Sequence, residues 1–353
     1  MSSGSGIAIA LDAMGSDLGP PATLAGACEV SQHPESPRLF VVGDADVLRR
    51  ELEKHPHDRD KIRIVHASEV IAQDEKPKEA ITSKPGASIL VAAELVKAGE
   101  AQVLVSAGNT GAVTMCCART FTRLQGVTRS ALGAVYPTER RRGEKDDPFS
   151  LILDAGLTLE ASAEDLVGFA VMGAAYSKCI SKNSRPRVGL LSVGGEESKG
   201  TESVVKAHAV LKRLGARSDG GFEFIGNIEG MDIPRGTADV VVTSGFTGNI
   251  VLKMLEGISE TVMRLARSAS EKSLQYKAGL LLLAPAIQRL RQVTDWQEYG
   301  GVPILGFDRL CIKAHGRSTA RAIRNAIRVA HRAARTDTVG SIQKGLEAAR
   351  SAE

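Results

Sequence analysis

Short runs of Val, Ile, Leu and Ala recur along the chain, each followed by a longer segment in which apolar residues return every three or four positions. The runs predict strands at Ile7–Leu11, Leu39–Val42, Ile62–Val65, Val103–Ser106, Leu132–Tyr136, Leu151–Asp154, Arg187–Ser192, Glu223–Ile225, Asp239–Thr243 and Leu310–Lys313. Several are apolar without alternation, as in strands covered on both faces. The segments between them predict helices over 20–31, 46–54, 86–98, 111–121, 161–181, 202–213 and 317–335. Repeated β-then-α order implies an α/β fold, a doubly wound, mostly parallel sheet with helices on both sides. One domain is expected over 1–335, followed by a tail, 336–353, with one more amphipathic helix. There is no short internal repeat.

One region breaks the rhythm. From Gly248 to about Tyr299 only helical periodicity is present, interrupted between Lys277 and Pro285. This predicts a protruding helical hairpin over about 250–298. Its tip, Leu280-Leu281-Leu282-Leu283 with Pro285 and Ile287, is ringed by Lys272, Lys277, Arg289 and Arg291. Such a tip suits a membrane interface or a lipid-linked acidic partner. It equally suits a helix pair at a dimer interface. Alternating charges over Arg140–Asp147 predict an exposed loop.

Composition narrows the function classes. Aromatic residues make up 4% of 353 residues, too few for the stacking platforms of single-strand binders. A net charge of +4 does not point to nucleic acid, though clustered cations can attract an acidic protein. The five cysteines (Cys28, Cys116, Cys117, Cys179, Cys311) have neither paired nor metal-like spacing, which suggests reduced thiols and a cytoplasmic protein, and no metal is assigned. Residues 1–6 lack the features of a signal peptide, and the longest apolar run falls well short of the roughly 20 residues needed to cross a bilayer. The expected location is the cytoplasm, with at most a peripheral place on the membrane.

Three glycine-containing loops each follow a strand and open a helix: Ser106-Ala-Gly-Asn-Thr-Gly111, Ser192-Val-Gly-Gly-Glu-Glu-Ser-Lys-Gly-Thr201 and Thr243-Ser-Gly-Phe-Thr-Gly-Asn249. Helix N-termini favour anions, and glycine lets an anion approach the backbone. Three such loops are expected to converge at the carboxyl ends of parallel strands, where open α/β sheets bind ligands. None matches the nucleotide phosphate loop or the dinucleotide fingerprint, so a smaller phosphate is the expected anion and no cofactor is assigned. Asp12-Ala-Met-Gly-Ser-Asp17 follows the first strand; its carboxylates could orient donors, hold a lysine or bind a metal, or could merely cap a helix. Cys311-Ile-Lys-Ala-His-Gly-Arg-Ser-Thr319 brings Lys313, His315 and Gly316 to another helix start, where they suit an anion, acid–base work or a structural histidine.

Together these segments resemble the PlsX family, the acyl-[acyl-carrier-protein]:phosphate acyltransferases. The matching pieces include Asp12-Ala-Met-Gly, Val42-Gly-Asp44, Ser106 to Ala112, Glu196-Glu-Ser-Lys-Gly200, Phe224-Ile-Gly-Asn-Ile-Glu-Gly230, Gly245-Phe-Thr-Gly-Asn249 with Leu252-Lys253, Tyr299 to Gly306, and Ile312-Lys-Ala-His-Gly316. They occur in family order from about residue 7 to 330. Departures fall at Ser16, Ser192, Ser244 and Gly156-Leu157-Thr158. The resemblance implies a fold like the isocitrate and isopropylmalate dehydrogenases and the phosphotransacetylases, a homodimer, and no nucleotide cofactor. It implies acyl carrier protein and inorganic phosphate as substrates, and a product passed to a membrane glycerol-phosphate acyltransferase.

On this reading a phosphate oxygen attacks a thioester carbonyl, and the protein must hold the dianion and stabilise the oxyanion. Lys199, Asn249 and His315 are the expected catalytic residues, with Lys199 and His315 giving positive charge or a proton. Asp12, Ser106, Asn109, Thr110, Gly111, Gly245, Thr247, Gly248, Lys253, Lys313 and Gly316 are expected around the phosphate and substrate, with backbone amides at Asn109–Gly111 and Thr247–Asn249 as donors. A covalent route through Cys116 or Cys117 competes with their reading as packed helix residues. Rival functions are a phosphotransacetylase using coenzyme A thioesters, a dehydrogenase of the related fold, and a non-catalytic scaffold for the carrier protein.

Overall fold

Val, Ile, Leu and Ala dominate the strand runs, and they go where two helix layers cover them. In β1 (Ala8–Asp12) all five residues are buried, and β4 (Val103–Ser106) is likewise buried throughout. The structure, a computed structural model, describes residues 6–142, 147–217, 221–272, 275–276, 278–279, 282–283 and 300–351.

The remaining strands are β2 (Arg38–Gly43), β3 (Ile62–His66), β5 (Ala131–Arg142), β6 (Asp147–Leu153), β7 (Arg187–Leu191), β8 (Glu223–Ile228), β9 (Val240–Val242), β10 (Val302–Leu305) and β11 (Leu310–Lys313). They form one sheet in the order β3-β2-β1-β4-β11-β10-β5-β6-β9-β7-β8. Helices α1 (Gly19–Ser31), α2 (Ala45–Leu52), α3 (Pro77–Ser83), α4 (Ser88–Lys97), α5 (Thr110–Thr120), α6 (Ala163–Ser181), α7 (Glu202–Gly215), α8 (Asp232–Arg235), α9 (Gly245–Lys272), α10 (Ala320–Arg335) and α11 (Thr338–Arg350) complete the described elements.

Strand direction organises the molecule. β3, β2, β1, β4 and β11 are mutually parallel, as are β6, β9, β7 and β8. Between the two sets, β10 runs antiparallel to β11 and to β5, and β5 antiparallel to β6. Three reversals leave the two parallel halves pointing in opposite directions. The expected single carboxyl edge is therefore two edges: the Ser106 loop lies on one, the Ser192 and Thr243 loops on the other. Sequence periodicity could not show this, because a buried strand has the same pattern in either direction.

Several local expectations also change. Of the charged stretch from Arg140 to Asp147, Arg140–Arg142 end β5 and Asp147 opens β6, with 143–146 outside the described residues. Val302–Leu305, proline-containing and not anticipated as a strand, is β10. The helix expected over 86–98 begins at Ser88 and is preceded by the separate α3. The tail does form a helix, α11, which buries Thr338, Ile342 and Leu346 and packs on α6. The first arm of the expected hairpin is the 28-residue α9. Of the residues named at its tip, Leu282 and Leu283 are exposed, whereas Lys277, Leu281, Arg289 and Arg291 lie outside the described residues, as does the side chain of Lys272.

Candidate active site

On the first half, β1, β4 and β11 are neighbours in register, so Asp12 pairs with Ser106 and Ser106 with Lys313. The Asp12 carboxylate, 3% exposed, accepts the hydroxyls of Ser88 and Ser106, both at 2.7 Å, and the Met14 N–H at 3.2 Å. Lys313 is 6% exposed and its ammonium donates to the Ala314 carbonyl. Burial pushes the Lys313 ammonium down to about 8, against the opposing pull of Cys311, Asp12 and Asp17.

Gln73, which no motif singled out, ties these loops together. Its Nε2 donates to the carbonyls of Gly15 (2.7 Å) and Ala107 (2.8 Å), and its own carbonyl accepts Asn109 Nδ2 at 2.7 Å. Gly316 completes the cluster: the Asp17 N–H donates to its carbonyl at 2.8 Å, and a Cβ there would crowd Asp17 and Gln73. Asp12, Ser106, Asn109, Lys313 and Gly316 thus meet at this end of the sheet. Their donors, however, are largely engaged within the protein. Asn109 spends its carbonyl oxygen capping α5 at Ala112 N and its amide on the Gln73 and Glu75 carbonyls. Gly111 packs on the Pro77 ring, and Thr110, exposed, opens α5.

On the second half, β6, β9 and β7 end side by side at Asp154, Thr243 and Ser192. Asp154, fully buried, gathers the backbone N–H groups of Leu132, Gly156, Leu157 and Thr158, and burial raises its carboxyl above the usual range against those bonds. The 154–158 turn then packs against the start of α9. A Cβ at Gly245 would meet Asp154 Oδ2 and the Thr158 backbone, and one at Gly248 would run into the Asp154 carbonyl. These two glycines serve close packing.

The expectation that backbone amides at Thr247–Asn249 face a ligand changes accordingly. Gly245 N donates to Thr158 O at 2.7 Å, Gly248 N to Ser244 O at 2.9 Å, and Thr247 N reaches Ser244 Oγ at 3.4 Å. The exposed groups here are side chains: Thr247 in the first turn of α9, Asn249 at the start of the second, and Lys199 on the loop after β7. The dipole of a long helix adds partial positive charge at that end.

α9 links the two clusters. Lys253 lies one turn beyond Asn249, pairs with Glu256 at 2.8 Å, and is, with Glu256, an electrostatic neighbour of His315 from the first half. Partial desolvation, then Lys313 and Lys253, hold the His315 imidazole below its ordinary range, so the ring is neutral near pH 7. Of the two roles expected from sequence, positive charge or a proton, the neutral ring is suited to the second. Its Nδ1 accepts the Arg317 N–H at 3.2 Å, which leaves the ring proton on Nε2.

The covalent route loses its footing. Cys116 and Cys117 are fully buried, and burial raises the Cys116 thiol far above neutral pH; a hydrogen bond with the free thiol of Cys311, together with burial, raises that of Cys117 as well. Thiols held protonated and out of reach are poor nucleophiles.

The wider comparisons agree with this architecture. The chain is 38% identical over 339 residues to a phosphate acyltransferase of Thermoanaerobacter pseudethanolicus, covering 96% of this chain and 97% of the relative. It is 39% identical over 323 residues to a phosphate acyltransferase of Geobacter sulfurreducens, covering 92% and 89%. A phosphotransacetylase from Staphylococcus aureus shares the fold, with a TM-score of 0.58, 15% identity, and coverage of 94% and 95%. The family model described as "Fatty acid synthesis protein" matches residues 7–340, and with that span and those relatives the chain belongs to the PlsX family of phosphate acyltransferases, enzymes that transfer acyl groups to phosphate.

Proposed function

We propose that this acyltransferase moves a fatty acyl group from acyl carrier protein to inorganic phosphate, releasing acyl phosphate and the free carrier thiol. The observation that carries this reading is the exposure of Lys199 and Asn249 beside neighbouring strand ends, those of β7 and β9, at the N-terminus of α9. Phosphate sits between the Lys199 ammonium and the Thr247 hydroxyl. One of its oxygens attacks the thioester carbonyl, forming the C–O bond. The Asn249 carboxamide donates to the developing oxyanion. Collapse breaks the C–S bond, and the carrier leaves as thiolate, taking its proton from water or from His315 Nε2. Because phosphate is the nucleophile, no enzyme nucleophile is needed. Lys253 and Lys313 add positive potential from the side of the first half.

The test is to incubate the protein with palmitoyl acyl carrier protein and phosphate and to assay acyl phosphate, with palmitoyl coenzyme A in parallel and a phosphate-free control. Carrier-dependent acyl phosphate is expected. Preference for the coenzyme A thioester would move the assignment to phosphotransacetylase, and thioester loss without phosphate would indicate simple hydrolysis.

A second surface supports the remaining expectations. Phe246, Ile250, Met254, Ile258, Val262 and Leu265 form an exposed apolar row along α9, and Leu282 and Leu283 extend the apolar character toward the tip. We infer that the row packs against a second copy of the chain and that the tip touches the membrane, where a glycerol-phosphate acyltransferase would consume the product. Anionic liposomes should retain the protein and lose a Leu281→Glu, Leu282→Glu variant; equal retention of both would count against the membrane contact.

A further inference from the structure

The segment Phe224-Ile-Gly-Asn-Ile-Glu-Gly230 has no part in the chemistry above, yet its asparagine is built into the loop that carries Lys199. In the parallel pairing of β7 with β8, Val188 faces Phe224 but Leu190 faces Asn227, so β8 holds one extra residue between them. Gly226 takes up that residue at φ +87°, a conformation that favours glycine. The bulge places Asn227, 8% exposed, under the Ser192–Thr201 loop.

There its Nδ2 donates to the Glu196 carbonyl at 2.8 Å and to the Lys199 carbonyl at 3.4 Å. Two carbonyl acceptors fix which end of the carboxamide faces the loop. Oδ1 must then face His208 Nδ1, 2.9 Å away, so His208 carries its proton on Nδ1. His208 is 4% exposed and is held edge-on against the Phe224 ring, with centroids 5.0 Å apart. The loop closes on itself from the other side: Lys199 N donates to Glu196 O at 3.0 Å, and Ser192 Oγ donates to Lys199 O at 3.0 Å. Gly194 leaves room for the Lys199 stem, since a Cβ there would lie 3.2 Å from Lys199 Cγ.

We propose that Asn227 is a positioning residue that holds the Lys199 backbone in its working place, and that His208 locks the orientation of the Asn227 amide. This rests on the reading of Lys199 as the phosphate-binding cation. An exposed lysine on a glycine-rich loop would otherwise sample many positions, and misplacing a catalytic group by about 1 Å can cost on the order of 100-fold in rate.

A double-mutant cycle on the full chain tests it, with initial rates of acyl phosphate formation from palmitoyl acyl carrier protein and phosphate, and thermal melts alongside. Asn227→Asp keeps the shape but turns an acceptor toward two carbonyls. It should lower kcat by roughly 10- to 100-fold with little change in KM for the carrier. In the Lys199→Met background the same substitution should cost nothing further, because its effect runs through Lys199. His208→Phe keeps a ring against Phe224 and loses the N–H to Asn227, together with Nε2, which lies 3.9 Å from the exposed Glu197 Oε1. It should give a smaller loss that also vanishes in that background, and it carries the test if Asn227→Asp fails to fold. Losses that multiply with Lys199→Met, or normal turnover in Asn227→Asp and His208→Phe beside an impaired Lys199→Met, overturn the proposal alone. Normal turnover in Lys199→Met overturns the phosphate-site reading and this proposal together.

Discussion

The two strand-end clusters use similar residues to opposite ends. In the first, Asp12, Ser106, Asn109 and Gln73 spend their hydrogen-bonding groups on one another and on the backbone, and Asp12 and Lys313 are almost wholly buried. In the second, Asp154 and the two α9 glycines are consumed by packing, but Lys199, Thr247 and Asn249 remain at the surface. A glycine-rich loop with Ser, Thr and Asn thus signals a need for backbone approach without saying whether ligand or protein makes it. Satisfied polar groups build a rigid wall; exposed ones can meet a substrate.

The sharpest way to break this contrast is to remove a cation from the open cluster. Lys199→Met should lower kcat/KM by roughly 100- to 1,000-fold while leaving the melting temperature within about 1 °C, since an exposed side chain carries little stability. A near-normal rate would shift the chemistry toward the first half.

Next in size is a pH effect confined to the closed cluster. The folded-state value of Lys313 lies below its unfolded value, so charging it opposes folding. That cost is fully present below about pH 8 and fades as pH rises toward the ordinary lysine range, so the native state gains on the order of 3 kcal/mol across the window. Lys313→Met should lack this gain, as read from denaturant midpoints of both proteins at pH 7.5 and 10. Parallel curves would show that the ammonium is better solvated than its burial indicates.

Asp12→Ala should cost about 2–3 kcal/mol, because it strands the Ser88 and Ser106 hydroxyls. Urea unfolding checks this, and a cost under 0.5 kcal/mol would mean that the hydroxyls find other partners. The smallest expected effect on turnover belongs to the double substitution Cys116→Ala, Cys117→Ala. Stability should drop by about 1–2 kcal/mol from lost packing, with turnover within about two-fold of the parent. Loss of activity in the folded variant would revive the covalent route.

Much of the fold was legible because burial on both faces leaves unbroken apolar runs, and α7 and α10 carry clear periodicity. β10 escaped notice because a four-residue strand containing Pro303 has too little pattern and a poor strand former. Gln73 escaped because a single glutamine acquires its role only from three loops distant in sequence. Asn249 and Lys199 were visible through their motifs, whereas the engagement of Asn109 required seeing where the Gln73 and Glu75 carbonyls lie.

Local chemistry by itself determined the α/β class, the glycine-rich junctions, the long α9 and the family pattern, since each depends on the order of residues within a short window. Only the tertiary structure decided that the two parallel halves run in opposite directions, which loops are sealed and which are open, and that α9 brings Lys253 within electrostatic reach of His315. Direction and pairing are set by contacts between segments far apart in the chain. A buried polar group is silent or available according to what those contacts leave it.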